Sequence, residues 1–392
     1  MNICILSLAY RPFVGGAEVA THEIAKRLSR HAHFTCITHR FDAAWPSEET
    51  LDGVSVVRVG SGRGSYYGQR AQKLLYPFRA WRAMERIHAT QPFSLVWLVM
   101  ASYGTLAALL FKLRHPDVPL LLTLQEGDSE DYILRRVGVF YPIWQFIFRY
   151  ADHIQTISRY LVAFAKRHGA RCPITVVPNG VSLMKSEKLK MKNVRLGKEK
   201  IIISTSRLVY KNGIDTLIRA IAILARDVRS GYYPKLPLFR LRLVGHGPDA
   251  AKLKRLASQF GVASVIDFVG VVTPEAVPAE LARAALFVRP SRSEGLGSSF
   301  LEAMAMGIPI IGTMVGGIPD FLHDPVSVGV ARATGISVVV DDARDLAAKI
   351  AWCLRERALT ATIAENGRRL VGQSYQWKDV ADRMWEIIQK LS

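Results

Sequence analysis

Two α/β domains, each a doubly wound parallel sheet, are predicted by three features of the sequence. Its 392 residues suffice for two separate cores. Short, almost continuously apolar runs alternate with helical patterns, as expected of strands covered on both faces. The order strand, glycine loop, helix opens the first half and returns in the second, most clearly between Pro290 and Asp320. Apolar residues make up 49% and charged residues 22%, a globular balance that excludes a disordered chain. The net charge of +19 favours an anionic partner: a nucleotide diphosphate, a nucleic acid or an acidic membrane surface.

Asn2 to Leu8 reads as the first strand; Met1 to Ala9 lacks the basic start and cleavage site of a signal peptide. The loop Phe13 to Glu18 carries Gly15, Gly16 and Glu18, and a helical pattern follows at Val19, Ile24, Ala25 and Leu28. The doubled glycine lets a ligand approach the backbone at the carboxyl edge of the sheet. Phe34 to Thr38 and Val54 to Val59 are strands. Tyr66 to Arg86 interleaves aromatic and basic residues at helical spacing. Such a helix either seats on an anionic bilayer or packs as an ordinary amphipathic helix with its arginines in water. An aromatic and basic patch also suits single-stranded nucleic acid, but no recognition motif accompanies it, and no nucleic-acid partner is expected. Leu95 to Phe111 is short for a membrane span and polar in its middle, so it reads as a strand to Val99 and a helix over Leu106 to Leu113.

Leu120 to Leu124 is a strand with Gln125-Glu126-Gly127-Asp128 at its carboxyl end; Asp128, Glu130 and Asp131 form an acidic cluster there, suited to a hydroxyl or cationic acceptor or a metal, or, as the simpler alternative, solvated loop acids. A helix over Tyr141 to Tyr150, a strand over Ile154 to Ser158, a helix to His168 and a strand over Ile174 to Val177 complete the first half. Lys185 to Lys200 has seven basic and two acidic residues without periodicity, so 183–200 is expected to be a solvated linker.

The second half restarts with a strand over Ile201 to Thr205 and the loop Ser206 to Gly213. Arg207 and Lys211 in that loop stand at a strand end, where a guanidinium fork and an ammonium point charge suit a diphosphate. A helix over Ile214 to Leu224 follows. Leu241 to Val244 leads into Gly245-His246-Gly247-Pro248-Asp249-Ala250, a G-x-G-x-x-A match with Asp267 further on, which raises a dinucleotide reading. Phe268 to Val271 starts a strand, Pro278 to Ala285 a helix, Gly335 to Val340 a strand, and Ala343 to Leu354 a helix whose start Asp341-Asp342 explains. A helix over Tyr375 to Leu391 closes the chain.

The chemistry concentrates in PSRSEGLGSSFLEAMAMGIPIIGTMVGGIPD, residues 290–320. Glu294-Gly295-Leu296-Gly297 forms a loop, Ser298 or Ser299 is placed to cap the next helix, and Gly316-Gly317 forms a second loop facing the first. A helix start attracts phosphate. Glu294 and Glu302 as carboxylates accept hydrogen bonds from sugar hydroxyls. The simpler alternative makes Ser299-x-x-Glu302 a capping box and Glu294 a solvated loop acid.

The Glu294-x7-Glu302 spacing, the EGLG loop, LEAMAMGIPII, GGIPD and the G-G-A-E at 15–18 together resemble the retaining GT-B glycosyltransferases of glycosyltransferase family 4, over nearly the whole chain. That resemblance implies a GT-B fold, in which two Rossmann-like domains face a central cleft. Residues 1–182, joined by the last helix at about 376–392, would form an acceptor-binding domain, and residues 201–375 a donor-binding domain. It implies transfer of a sugar from a nucleotide diphosphate to an acceptor hydroxyl, in polysaccharide, lipopolysaccharide or glycolipid synthesis. Arg207 and Lys211 would hold the leaving diphosphate, Glu294 the sugar and Glu302 the ribose. Gly15, Gly16, Glu18, Gly245, Gly247, Gly295, Leu296, Gly297 and Ser298 would line the donor. No cofactor or metal is implied. The acceptor would be a saccharide or a lipid-linked saccharide, and the location cytoplasmic, at the inner face of the cell membrane for a lipid acceptor. The sequence departs from the family twice. Gln125 stands where a histidine is usual near the reacting sugar, and Asn212 where the lysine is common, with Lys211 one position earlier. Glutamine cannot act as an acid or base near neutral pH. A non-catalytic sugar-nucleotide binder is therefore the competing class, and a dinucleotide-dependent oxidoreductase a remote one. Cys4, Cys36, Cys172 and Cys353 have neither C-x-x-C nor zinc spacing, as in reduced thiols of a cytoplasmic protein.

Overall fold

The computed structural model describes residues 1–13, 15–62, 66–183 and 199–392, with side chains at 66–71 outside the description. Most of the expected basic linker at 183–200 lies outside the described residues, as do the side chains of Tyr66, Tyr67 and Arg70. The chain divides into two compact units, 1–180 with 377–392, and 181–376.

Unit 1 is built on eight strands: β1 Asn2–Leu6, β2 His33–His39, β3 Glu48–Leu51, β4 Val54–Val59, β5 Leu95–Val99, β6 Leu120–Leu124, β7 His153–Thr156 and β8 Ile174–Val176. Their order is β3-β4-β2-β1-β5-β6-β7-β8, parallel throughout except for the antiparallel edge pair β3–β4. Helices α1 Gly16–Leu28, α2 Tyr66–Thr90, α3 Gly104–Arg114, α4 Glu130–Val137, α5 Tyr141–Tyr150 and α6 Arg159–Arg167 connect them. Strand alternation divides the core. Ile3, Ile5 and Trp97 pack with α1 and the C-terminal helix Trp377–Leu391. Leu6 and Leu98 point the other way, toward the start of α3, where a side chain at Gly104 would crowd them. On that second face Tyr76 of α2 is fully buried, its hydroxyl donating to the carbonyls of Ser7 and Ile37 at 2.9 and 3.1 Å. The apolar run from Leu95 is thus a strand and a helix, and no helix among the described residues is long and apolar enough to cross a membrane.

Unit 2 has six parallel strands: β9 Lys200–Thr205, β10 Phe239–Val244, β11 Ile266–Gly270, β12 Ala284–Arg289, β13 Ile310–Thr313 and β14 Ile336–Val338, in the order β11-β10-β9-β12-β13-β14. Its core joins helix Ile214–Arg229 and helix Ala343–Arg355 to the strands. Two expectations fail here. The helix proposed over Pro278 to Ala285 stops at Leu281, because Ala284 already pairs with Ile201 in the sheet. A helix that the sequence reading left out, Arg357–Ser374, packs its Gly367 against Met304 and the carbonyl of Thr334. Two glycines and few large apolar residues hid it.

Candidate active site

In unit 2 the chain leaves β9 for β10 on one side, and β12 lies on the other. The loops after β9 and β12 therefore diverge at the carboxyl edge, the position where open α/β sheets bind ligands. These are the loops at 206–213 and 290–297. The backbone fixes them to each other. The N–H of Arg292 donates to the carbonyl of Lys211 at 2.6 Å. Gly213, at φ +67°, sits so close to the carbonyl of Pro290 that any side chain would collide. The Arg292 guanidinium lies 4.1 Å from the centre of the Tyr210 ring and donates to the Tyr210 carbonyl at 2.6 Å. It also donates to both carboxylate oxygens of Asp215, at 2.8 and 2.9 Å, and pairs with Asp341 at 2.6 Å.

Arg289, the last residue of β12, is nearly buried. It donates to Glu294 at 2.5 Å and to the Ser299 hydroxyl at 2.7 Å, and lies over the Phe300 ring at 4.8 Å. The Glu294 carboxylate is thus held by a charge-assisted bond and also accepts from the N–H of Gly295 at 3.2 Å. Gly317 N–H donates to the Glu294 carbonyl at 3.2 Å, and a side chain on Gly316, at φ +56°, would run into that same carbonyl. The second glycine loop does face the first, at Glu294. Leu296 is buried beneath the loop. Glu302 lies one turn into the helix Ser298–Ala305; burial pushes its carboxyl up to about 7, against the pull of Arg289.

Arg207 is exposed beside this edge, and Lys211 half-buried. Asn212 is buried, and its side-chain amide donates to the Arg207 carbonyl at 2.7 Å. That accounts for the departure at this position: residue 212 points inward and braces the loop, so a lysine there would bury its charge. Gly245 and Gly247 serve close backbone contact. Side chains at these positions would meet the carbonyls of Ser206 and Leu208, and Leu208 N–H donates to His246 O at 3.0 Å. The loops after β9 and β10 are thereby clamped together.

Unit 1 has its own point of divergence, between β1 and β5. Gly15 is the cap of α1, where a side chain would strike the carboxylate of Glu18, whereas one on Gly16 would meet nothing within 4 Å. Packing within the chain therefore does not require glycine at 16. Gln125 accepts from the side-chain amide of Asn179 at 3.1 Å. Its neighbour Glu126 is buried. It accepts from the N–H of Ala101 at 2.9 Å, finds no partner for its second oxygen among the described residues, and is pushed by burial up to about 7. The carbonyl of Ala101 accepts from the Trp144 indole at 2.7 Å, and the preceding Met100 has φ +66°. Glu126 and Trp144 together hold this left-handed turn.

Several expectations are corrected. Neither Ser298 nor Ser299 caps its helix: the cap is Gly297, at φ +96° with no side-chain capping bond, because the turn there needs a left-handed residue. Ser299 is inside the helix and engages Arg289, so the capping box with Glu302 does not form. In the acidic cluster, Glu130 pairs with Arg167 and His168, the Arg167 bond foremost in holding its carboxyl below the usual range. The dinucleotide reading loses its acid: Asp267 is the second residue of β11, at the amino end of a parallel sheet, paired with Arg240 and Arg242. Asp342 caps its helix as expected, accepting from Arg344 and Asp345 N–H. Among the described residues no group of three or more His, Cys, Asp or Glu could hold a metal ion. Sequence reasoning missed Arg289 and Arg292, and noted Asn212 as a departure without its bracing role; a cation ending the apolar run Leu286-Phe287-Val288 was the available signal for the first.

Comparison with known proteins bears on this geometry. The family described as "Glycosyl transferases group 1" matches residues 185–370, and "Glycosyl transferase 4-like domain" matches residues 15–180. A GDP-mannose-dependent alpha-(1-6)-phosphatidylinositol monomannoside mannosyltransferase of Mycolicibacterium smegmatis is 30% identical over 61% of this chain and 62% of its own length, less than two thirds of that relative. The enzyme of the same name from Mycobacterium tuberculosis is 28% identical over 78% of each chain. Among solved structures, sucrose-phosphate synthase from Thermosynechococcus elongatus superposes with a TM-score of 0.82 at 21% identity, covering 100% of this chain and 98% of that one, which establishes a shared fold.

Proposed function

The chain belongs to the group 1 glycosyltransferases, and from that premise we propose that it moves a sugar from a nucleotide diphosphate to an acceptor hydroxyl with retention of anomeric configuration. The observation that carries the reading is the locked pair of loops at the carboxyl edge of unit 2, with Glu294 held by Arg289 beside a helix start. Unit 2 takes the donor. Glu294 binds the sugar hydroxyls and Glu302 the ribose. Gly245, Gly247, Gly295, Leu296 and Gly297 bring main chain close to the nucleotide, and Ser298 offers its helix-start N–H to phosphate. As the glycosidic bond breaks, negative charge grows on the departing diphosphate. Arg207 and Lys211 are fixed cations for that charge, which lowers the barrier without a divalent ion. The diphosphate itself takes up the acceptor proton, so Gln125 needs only to hydrogen-bond.

Unit 1 takes the acceptor, with Gly15, Gly16 and Glu18 serving the donor phosphates. GDP-mannose is the first donor to try, since both mycobacterial relatives are GDP-mannose-dependent by name. Their names also specify a phosphatidylinositol-linked acceptor, which supports a lipid-linked acceptor and glycolipid synthesis here; we propose work at the cytoplasmic face of a membrane, with cell-surface polysaccharide synthesis as the wider setting. Gln125 supports a second reading, a sugar-nucleotide binder without turnover. The test is release of nucleotide diphosphate across a donor panel, with the product anomer read by NMR and a chelator added in parallel. Release with a retained anomer, unaffected by chelator, is expected. Donor binding without release favours the second reading, and chelator-sensitive release removes the metal-free mechanism.

A further inference from the structure

The two helical faces of unit 1 differ in what they turn to water. On one face, α1 and the C-terminal helix expose no large apolar side chain. On the other, α2 packs on α3 and α3 on α5, and this layer is apolar on its outside as well as its inside. Helix α5 makes the point most sharply. Trp144, Ile147 and Phe148 fill the core, yet Ile143, Phe146 and Tyr150 form a second apolar stripe in solvent. A helix apolar on both faces is expected inside a core or against a second apolar phase. The turn leading into α5 carries the most exposed of these residues, Val139 at 89% and Phe140 at 64%. Leu74 and Phe78, one turn apart on α2, and Leu113 at the end of α3 are further exposed apolar residues of the same helical layer.

Charge identifies what would cover it. Residues 138–150 and 104–114 contain no aspartate or glutamate, and α2 has none before Glu85. Exposed Arg135, Arg136 and Arg149 flank the Val139–Phe146 stretch, and Arg82 is exposed on α2. The acidic residues of α4 sit at its far end, where Glu130 is taken up by Arg167 and His168. Exposed aromatic and aliphatic residues interleaved with arginines that form no ion pair among the described residues match the boundary of an anionic bilayer, with rings among the acyl chains and arginines at headgroup phosphates.

We propose that the face formed by α2, α3, the 138–140 turn and α5 seats the protein on the surface of an anionic bilayer. This places the bilayer contact on the whole layer rather than on the aromatic, basic helix α2 alone. It also ties the contact to the candidate site: Trp144 bonds to Ala101, which Glu126 holds next to Gln125, so the helix on the bilayer is one step from the acceptor edge. The inference deepens the lipid-linked acceptor reading, but its test requires no sugar transfer, so either can fail without the other.

The experiment is co-sedimentation of the full chain with vesicles of phosphatidylglycerol and phosphatidylcholine, or of phosphatidylcholine alone, at 0.1 M salt. The unmodified chain is expected to sediment with the anionic vesicles and not the neutral ones. Phe140→Asp with Phe146→Asp should weaken partition about tenfold or more, and Arg135→Ala with Arg149→Ala should weaken it on anionic vesicles by about tenfold. Val326→Asp, at a residue 87% exposed on unit 2, should leave it unchanged. Thermal melts establish that each variant is folded; if the phenylalanine pair is not, Phe140→Asp alone replaces it. The proposal is overturned if the unmodified chain ignores anionic vesicles, if the phenylalanine or arginine variants bind as before, or if Val326→Asp loses as much. It is equally overturned if gel filtration finds a dimer that the phenylalanine variant splits while no vesicle binding occurs.

Discussion

The carboxyl edge of the unit 2 sheet and that of the unit 1 sheet are made differently. In unit 2 the edge loops are locked by main chain: Gly213 against Pro290, Gly245 against Ser206, Gly316 against Glu294. A nearly buried guanidinium, Arg289, stands at the centre. In unit 1 the edge is fixed by side chains: the Asn179 amide on Gln125, the Glu126 carboxyl on Ala101 and the Trp144 indole on the same residue. The difference teaches where each edge tolerates change. Main-chain contacts leave no room for a side chain, whereas side-chain contacts can be exchanged for others of similar reach.

The largest effect is expected where that lock is broken. In Gly316→Ala the new methyl would enter the Glu294 carbonyl at φ +56°, so the loops must part. Thermal and denaturant melts should lose about 3 kcal/mol, and donor-dependent release should vanish. A variant as stable and active as the unmodified chain would mean the lock is dispensable. Arg207→Ala comes next. It is exposed, so melts should hardly move. The catalytic rate should drop about a hundredfold, some 3 kcal/mol of lost transition-state stabilisation. An effect confined to KM would reduce Arg207 to a binding residue.

The two edges share one property, and pH tests it. Burial raises Glu126 in unit 1 and Glu302 in unit 2 from 4.5 to about 7. Above about pH 4.5 the unfolded chain has released these protons while the folded chain keeps them. Stability therefore falls as pH rises from about 4.5 through 7, then levels off, by up to about 3 kcal/mol per carboxyl. Melts between pH 5 and 8.5 should show this slope, and Glu126→Gln should flatten part of it. A slope of opposite sign, or one that Glu126→Gln leaves intact, would contradict the assignment. The smallest effect is expected for Gln125→His, since the Asn179 amide can donate to an imidazole as it does to the glutamine. The rate should change by less than about tenfold, in contrast to Arg207→Ala. A much larger gain would mean that the histidine is needed for turnover.

Most elements were legible because their signals are local. Leu95 to Val99 and Leu120 to Leu124 are apolar runs of strand length, and both ends of each came out as read. The glycine loops at 213, 245 and 316 announced themselves for the reason that glycine is required there. The helix over 357–374 was missed because its buried face mixes Ile363 and Val371 with Thr360, Asn366 and Gly367, so no clear apolar period marks it. Ser298 was misplaced because capping preference is local, while Gly297 took the cap to satisfy a turn set by Phe300 and Arg289.

By itself the sequence determined two α/β units and their glycine loops, since apolar period and glycine spacing act within a few residues of each other, and its motifs carried a resemblance to the family whose models match the chain. Tertiary structure alone decided that Arg289 grips Glu294, that Asn212 turns inward under Arg207, that Glu126 and Glu302 are buried enough to hold a proton near pH 7, and that one helical layer of unit 1 is apolar toward water. Each of these depends on which distant segments meet and on how much solvent they exclude, and no short window of sequence encodes either.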